Sequence, residues 1–384
     1  MKGISFACLS LIAMACSNSG DSPYVQGPAE STILVYAVAT NSLSSNLVYD
    51  KNEMLQAAQN IDVNKNNILV FETKYGVSTS GDRVAQISLL KLVKNNDTYG
   101  WETVKEYDPN FLPLNPASVT EVINYVAQNF KADKYGLVFW SHSTGSQPYV
   151  VTKSSDIALY SFGQDLTASV KDYVQINVNE LAAAVPSGMF DYIWFDSCYM
   201  SNIESIYEFR DKCNTYVAYP TEVLEYGLPY NLVLPYMVGR KPDLVKAAET
   251  FFEYYAGSIA TVAVMDMNNL NSFAESCGDI FAPDYDYYTG SFIRYTRNGA
   301  GPFYDLGDYA KAMAEDTIGG LSEEEWNDLL DQFVLYKAAT NRDFSNNIID
   351  QKRYSGISAH VFSSTDTSSN EQFYKSLGWY NRVF

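Results

Sequence analysis

Hydrophobic and polar positions along this chain follow two periods. Residues 31–39 (STILVYAVA) form a continuous apolar run rich in β-branched side chains, which predicts a buried first strand. A polar turn follows, then a helical pattern at 52–58. Residues 67–72 (NILVFE) predict a second strand, and 84–93 (VAQISLLKLV) an edge strand or hairpin arm. Asn115 before Pro116 is a cap and first-turn signal, and Val119, Val122, Ile123, Val126 and Phe130 then share one helical face. Residues 135–140 (YGLVFW) predict a third strand, 192–195 (YIWF) a fourth, and 215–219 (TYVAY) a fifth, with a helix through Ile203, Ile206 and Tyr207 between the last two.

Strands apolar on both faces and alternating with helices predict an α/β fold: a mostly parallel central sheet covered by helices on both sides. Beyond Pro229 the pattern is more helical. Residues 243–255 carry good helix formers, and Ser322 with Glu325 makes a capping box ahead of Trp326, Leu329, Leu330 and Phe333. Further strands are predicted at 259–265 (IATVAVM) and 356–363 (GISAHVFS). There is no internal repeat or long linker, so the expected organisation is a core over 31–230 with a helical C-terminal α/β extension over 231–384 packed on it.

Charge narrows the partners. With 26 basic against 45 acidic residues the net charge is −19, which repels phosphate backbones and anionic membranes and attracts cationic peptides. Nucleic acid is therefore not expected as a partner. At the N-terminus, Lys2, an apolar stretch over 4–14 and Ala15 before Cys16 predict a signal peptide over 1–15, too short to stay in a bilayer as a spanning helix. Residues 11–16 (LIAMAC) resemble a bacterial lipobox, which implies lipidation of Cys16 and a polar tether over 16–30. Ala13 and Met14 depart from that pattern, so secretion with cleavage nearby is the alternative. The expected location is across the inner membrane: an outer-membrane lipoprotein, or a periplasmic or cell-surface protein.

Once Cys8 leaves with the signal and Cys16 is lipidated, three cysteines stay: Cys198, Cys213 and Cys277. An odd number in a secreted chain points to a free thiol. With only His142 and His360 available and no CxxC spacing, no metal site is expected. Asp62, Asn64 and Asn66 have the spacing that opens a calcium loop, but Asn67 replaces its glycine and Thr73 its closing acid, so a polar turn is predicted. Reactive residues in open parallel sheets lie just beyond the carboxyl ends of strands. Here the third strand runs into Ser141, His142 and Ser143, and the fourth into Asp196, Ser197 and Cys198. A thiol titrates near pH ~8.5 and becomes a useful nucleophile beside an imidazole or a helix N-terminus. Cys198, between a strand and a helix, is the candidate nucleophile, with His142 as its partner.

The blocks 135–145 (YGLVFWSHSTG) and 190–211 (FDYIWFDSCYMSNIESIYEFRD) resemble the clostripain family of cysteine peptidases, as do 161–165 (SFGQD), 219–230 (YPTEVLEYGLPY) and 376–380 (SLGWY). The resemblance runs from residue 33 onward and implies a caspase-like fold, shared with legumain and the gingipains. It implies an endopeptidase using a thioester on Cys198, with His142 protonating the leaving amine and the amides of Ser143 and Cys198 as oxyanion hole. It implies that Asp196 helps to bind Arg or Lys at the cleaved position; the alternative is a hydrogen-bonded support for the site loop. Between His142 and Cys198 the basic residues are Lys153 and Lys171, and Lys153 is the candidate for self-processing, with plain exposure as the alternative. No cofactor is required, although relatives can depend on calcium. The expected partners are peptides, with the membrane reached only through the lipid, and a monomer is expected.

Three positions depart from the family. Ser143 stands where glycine is usual, Ser197 where alanine is common, and Thr40 where relatives tend to carry Asp, although Asn41 fits. The first motivates a second reading, a surface binding protein that kept the fold after Ser143 spoiled the oxyanion hole. A thiol-dependent transferase lacks support, since no glycine-rich phosphate loop is present. His360, in a predicted strand, reads as a packed residue.

Overall fold

The apolar runs pair into one nine-stranded sheet in a computed structural model of the chain, which describes residues 28–77, 83–147, 161–166, 174–281, 292–297, 300–313, 321–361 and 368–384. Its strands are β1 (Ala29–Val38), β2 (Asn66–Val77), β3 (Arg83–Asn95), β4 (Thr98–Glu106), β5 (Ala132–Trp140), β8 (Phe190–Asp196), β9 (Cys213–Ala218), β10 (Thr261–Asp266) and β13 (Val334–Ala339). A small pair, β6 (Phe162–Asp165) with β7 (Val174–Ile176), and a three-stranded sheet of β11 (Arg294–Arg297), β12 (Ala300–Asp305) and β14 (Ser358–His360) complete the strands. The helices are α1 (Ser44–Ala57), α2 (Pro116–Asn129), α3 (Val178–Ala184), α4 (Ile203–Glu208), α5 (Tyr230–Met237), α6 (Leu244–Tyr255), α7 (Leu270–Phe281), α8 (Leu306–Met313), α9 (Glu323–Phe333), α10 (Ser368–Ser376) and α11 (Gly378–Val383).

The sheet order is β4-β3-β2-β1-β5-β8-β9-β10-β13. The middle strands β2, β1, β5, β8 and β9 are parallel to one another, while β3, β4, β10 and β13 join antiparallel at the edges. Side chains of the middle strands point alternately to two buried layers. Leu34, Tyr36 and Val38 of β1 face the layer covered by α2, α3, α4 and the C-terminal helices. Ile33, Val35 and Ala37 face the layer of α1, α5 and α6. Two-sided burial explains why these strands read as unbroken apolar runs. Each large side chain so buried contributes about 1.5–3 kcal/mol.

The predicted caps form. The Asn115 side chain accepts from Ala117 N at 2.9 Å, and Ser322 and Glu325 cap each other at the start of α9. Residues 62–66 make the predicted polar turn, with Asn64 N donating to Asp62 Oδ1 at 3.1 Å. The run at 84–93 is a hairpin arm, but it is not the edge of the sheet: β4, half-exposed throughout and therefore without an apolar run, lies outside it. β1 begins at Ala29, two residues before the predicted apolar run, and α5 begins at Tyr230. β10 hydrogen-bonds onto β9 and β13 onto β10, so the segment over 231–384 carries the central sheet onward as well as supplying helices. Cys16, Lys153 and Lys171 lie outside the described residues. Among the described residues, no helix is long and apolar enough to cross a membrane.

Candidate active site

Strand register brings the two candidate residues together. Trp140, the last residue of β5, pairs with Asp196, the last residue of β8, so His142 and Cys198 each sit two positions past the same rung of the ladder. Adjacent strands are about 4.8 Å apart. β1 ends beside them, with Ala37 opposite Trp140, and sends Asn41 and Ser42 into the same corner. The Ser42 hydroxyl lies 2.9 Å from His142 Nε2. Asn41 Nδ2 donates to Gln164 O at 2.8 Å and to Ser141 Oγ at 3.4 Å, which ties the loop after β1 to β6 and to the residue before the histidine. Thr40 donates to the buried carboxylate of Asp165. Sequence reading gave no role to Ser42, for which the polar turn after the first strand was the only signal.

The loop after β5 is held by β6. Thr144 N donates to Ser161 O at 3.1 Å and Gly163 N donates to His142 O at 2.8 Å, flanking an antiparallel bridge between Ser143 and Phe162. The Ser143 amide takes no part in these two bonds, because Ser143 occupies the non-hydrogen-bonded position of the bridge. Its hydroxyl donates to the carbonyl of Cys198, linking the loop after β5 directly to the loop after β8. Among the described non-glycine residues only Asn96, Tyr199 and Asn346 have left-handed backbone, so Ser143 carries none of the strain that a glycine-only position would impose.

Strain sits elsewhere. Tyr199, directly after Cys198, has φ 59°, a conformation a bulky side chain adopts at a cost of about 1–2 kcal/mol. The turn is held by Tyr199 N donating to Thr221 O at 2.9 Å, by Asn202 Nδ2 donating to Tyr199 O at 2.5 Å, and by the Tyr199 ring stacked on Phe303 of β12. Gly145, with φ 72°, packs against the same turn: a Cβ there would meet Asn202 Nδ2 at 2.6 Å and the Tyr199 carbonyl at 2.7 Å. Gly145→Ala therefore forces the two site loops apart and adds about 1–3 kcal/mol of strain. The expected result is at least a tenfold loss of kcat/KM with a lowered melting temperature, measured by peptide hydrolysis and thermal unfolding.

Cys198 is half-buried, and its Sγ lies 3.9 Å from Val223 O in the loop after β9. That loop also shapes the surroundings of Asp196. One carboxylate oxygen, Oδ2, accepts from Leu228 N and from the Tyr230 hydroxyl, each at 3.2 Å. The other, Oδ1, is buried without a well-formed hydrogen bond, while the Tyr219 hydroxyl lies close enough to the carboxylate to favour its charged form. Gly227, with φ 54°, lies so close that a Cβ would stand 2.8 Å from the carboxylate. Burial pushes the Asp196 carboxyl up to about 7, against the pull of the Leu228 and Tyr230 hydrogen bonds. Asp196 thus ties the end of β8 to the loop after β9 and keeps one oxygen outside that tie.

Beneath it, Asp50 of α1 accepts from Trp140 Nε1 at 2.8 Å. Burial, reinforced by the Asp196 charge and by Glu53, pushes Asp50 up to about 9. An acid raised on folding stabilises the protein at low pH, and that contribution is lost as pH rises from about 4 through 9. Asp196 and Glu204, both raised to about 7, share the sign, whereas His360, pushed by burial down to about 3, has the opposite effect between about 3 and 6.5. Above about pH 7.5 the Asp50 contribution continues, joined toward pH ~8.5 by the buried thiols of Cys213 and Cys277, which share its sign. Between about pH 7.5 and 8 the Asp50 carboxyl lowers unfolding free energy by up to about 1.4 kcal/mol per pH unit, and Asp50→Asn, which still accepts from Trp140, reduces the slope in denaturant titrations by that amount.

The remaining candidates separate from the site. Cys213 and Cys277 are buried unpaired thiols whose pKa values burial raises, so neither is a nucleophile. His360 is buried in β14 with its ring stacked 3.7 Å from that of Tyr374, a packed residue as predicted. Among the described residues no three His, Cys, Asp or Glu side chains form a metal-binding group.

Comparison with known proteins gives a consistent answer. Residues 35–380 match the sequence model of the clostripain family. A secreted C11 cysteine protease from Bacteroides thetaiotaomicron, solved with an irreversible peptide inhibitor, superposes with a TM-score of 0.76 at 24% identity, covering 92% of this chain and 99% of its own. An inactive zymogen C11 protease from Parabacteroides distasonis superposes with a TM-score of 0.75 at 26% identity, covering 94% and 99%. No curated protein matches. A family match from the first strand to the C-terminal helices, on a fold that carries a thiol and an imidazole at adjoining strand ends, means that this chain belongs to the clostripain family and is a cysteine-type peptidase.

Proposed function

We propose that the protein is an endopeptidase that cleaves after Arg or Lys, with Cys198 as nucleophile and His142 as proton donor. The observation that carries the assignment is the shared rung of β5 and β8, two residues before both side chains, together with the Ser143 hydroxyl bond to the Cys198 carbonyl that locks the two loops. The Cys198 thiolate attacks the scissile carbonyl carbon, and the oxyanion is received by the amides of Ser143 and Cys198. The carbon–nitrogen bond breaks as His142 gives its proton to the leaving amine. Water then hydrolyses the thioester, releasing the new carboxylate and restoring the thiol.

Asp196 is the proposed base of the pocket for the cleaved residue, supported by its unsatisfied buried oxygen two residues before the nucleophile. Lys153 is the proposed self-processing position and Cys16 the proposed lipid attachment, which would hold a monomeric enzyme at the outer membrane or cell surface after export. The family's calcium requirement, where present, would be an accessory to this chemistry.

The test is hydrolysis of fluorogenic peptides ending in Arg, Lys, Asp, Asn or Leu by the mature chain, with and without calcium. Turnover confined to Arg and Lys peptides is expected. Preference for any other residue would overturn the specificity, and silence from folded, processed protein would favour the binding-protein reading and make Ser143→Gly the next variant.

A further inference from the structure

Away from the thiol, α1, α6 and the loop before α5 enclose a cavity of ≈ 190 Å³ lined by Tyr49, Glu53, Tyr226, Pro229, Tyr254 and Tyr255. Tyr49, Tyr226 and Tyr254 are 53%, 55% and 53% exposed, so three large rings are held toward water around one opening. An exposed cluster of this kind is the informative departure from ordinary packing. The rings are positioned: Tyr49 meets Tyr226 edge-on at 6.4 Å, Tyr254 meets Tyr255 edge-on at 4.7 Å, and the Tyr255 hydroxyl donates to Gly227 O at 2.9 Å. The carboxylate is positioned too, because Glu53 Oε2 accepts from Tyr230 N at 2.8 Å at the start of α5. Burial raises the Glu53 pKa, against the Tyr230 amide and the Asn231 amide, which bonds the same carboxylate; both favour its charged form. An ionised carboxylate offers about four acceptor sites, so this anchoring leaves capacity toward the cavity. The Glu53 charge is the leading influence on the Tyr49 hydroxyl, whose pKa it raises.

Aromatic faces around a fixed anion, with no basic residue in the lining, suit an organic cation. The volume is below the ~300–1,000 Å³ of pockets for drug-sized ligands, which limits the occupant to the tip of a side chain. Its place relative to the active site decides which. Tyr226 is three residues beyond Val223, whose carbonyl faces Cys198 Sγ, and three residues of extended chain reach about 10–11 Å. We propose that this cavity is a cation subsite that takes the ammonium or guanidinium tip of a second basic side chain of the polypeptide substrate, a few residues from the scissile bond. The assignment of the cavity to substrate rests on the peptidase reading above; its affinity for cations does not.

Two measurements test it. In Cys198→Ala protein, choline and its neutral isostere 3,3-dimethylbutan-1-ol are titrated by NMR. Choline is expected to bind at least about tenfold more tightly, and both Glu53→Gln and Tyr254→Leu are expected to weaken it about tenfold. Equal binding of the two probes, or choline binding indifferent to both variants, overturns the cation site. Tyr254, exposed on α6, keeps the test valid where Glu53→Gln disturbs the α5 cap. In active enzyme, peptides with a single scissile Arg carry trimethyllysine or its neutral tert-butyl isostere at successive positions on either side. One placement is expected to lower KM about tenfold at unchanged kcat, in wild type and not in Tyr254→Leu. No such placement, with choline still bound, overturns the substrate role alone. Wild-type enzyme inactive on every peptide overturns the peptidase reading and that role together, while the choline titration still reads the cavity.

Discussion

The Cys198→Ala variant is expected to lose turnover by about 10⁴- to 10⁶-fold, the range seen when a catalytic nucleophile is removed. Its stability should change by less than about 1 kcal/mol, because the side chain is half-buried and its sulfur contact is a long 3.9 Å approach to Val223 O. His142→Ala removes only the proton transfer and is expected to cost about 10²- to 10⁴-fold, with residual thioester formation still visible by mass spectrometry. The pair of results separates roles: acyl-enzyme detectable in His142→Ala but absent in Cys198→Ala supports nucleophile and proton donor as assigned. Retained turnover in Cys198→Ala, with the fold intact by circular dichroism, would sink the nucleophile assignment and with it the reaction scheme.

Asp196→Asn carries the second large effect. If the carboxylate receives the substrate's cation, the variant loses about 10²- to 10³-fold in kcat/KM on Arg peptides, an interaction worth about 3–4 kcal/mol when a buried charge is left unpaired. Wild-type kcat/KM on Arg peptides should then rise as pH increases through about 7, where Asp196 ionises, and the variant's profile should lack that limb. Stability runs the other way. The folded carboxyl is raised from its ordinary value near 4, so Asp196 contributes a loss of stability as pH climbs from about 4 to 7, and Asp196→Asn should remove that share while the shares of Asp50 and Glu204 stay. A purely supporting role, through Leu228 N and the Tyr230 hydroxyl, predicts a different outcome: a lower melting temperature with the Arg-over-Leu preference untouched. Steady-state kinetics on matched Arg and Leu peptides across pH distinguishes the two.

The periodic pattern determined the element types, because strands buried on both faces must be apolar at every position. β1, β5 and β8 were readable in this way, and each alternates between two fully buried layers. Caps at Asn115 and Ser322 were readable because they are satisfied by amides two or three residues away. β4 escaped notice since it is half-exposed and carries Thr, Glu and Lys, so no run marks it.

Placing His142 and Cys198 after apolar strands was within reach of the sequence; that β5 and β8 are neighbours with Trp140 opposite Asp196 was decided by long-range pairing. The same is true of what holds the site. Ser42 reaches His142 across 100 residues, Ser143 reaches the Cys198 carbonyl across 55, and the strained turn at Tyr199 rests on Phe303 from the C-terminal segment. Local propensity and patterning reflect the few residues around each position, so they specify strands, helices and caps. Hydrogen bonds between loops distant in sequence, the unsatisfied oxygen of Asp196 and the tyrosine-walled cavity exist only once the sheet has set which strand ends meet.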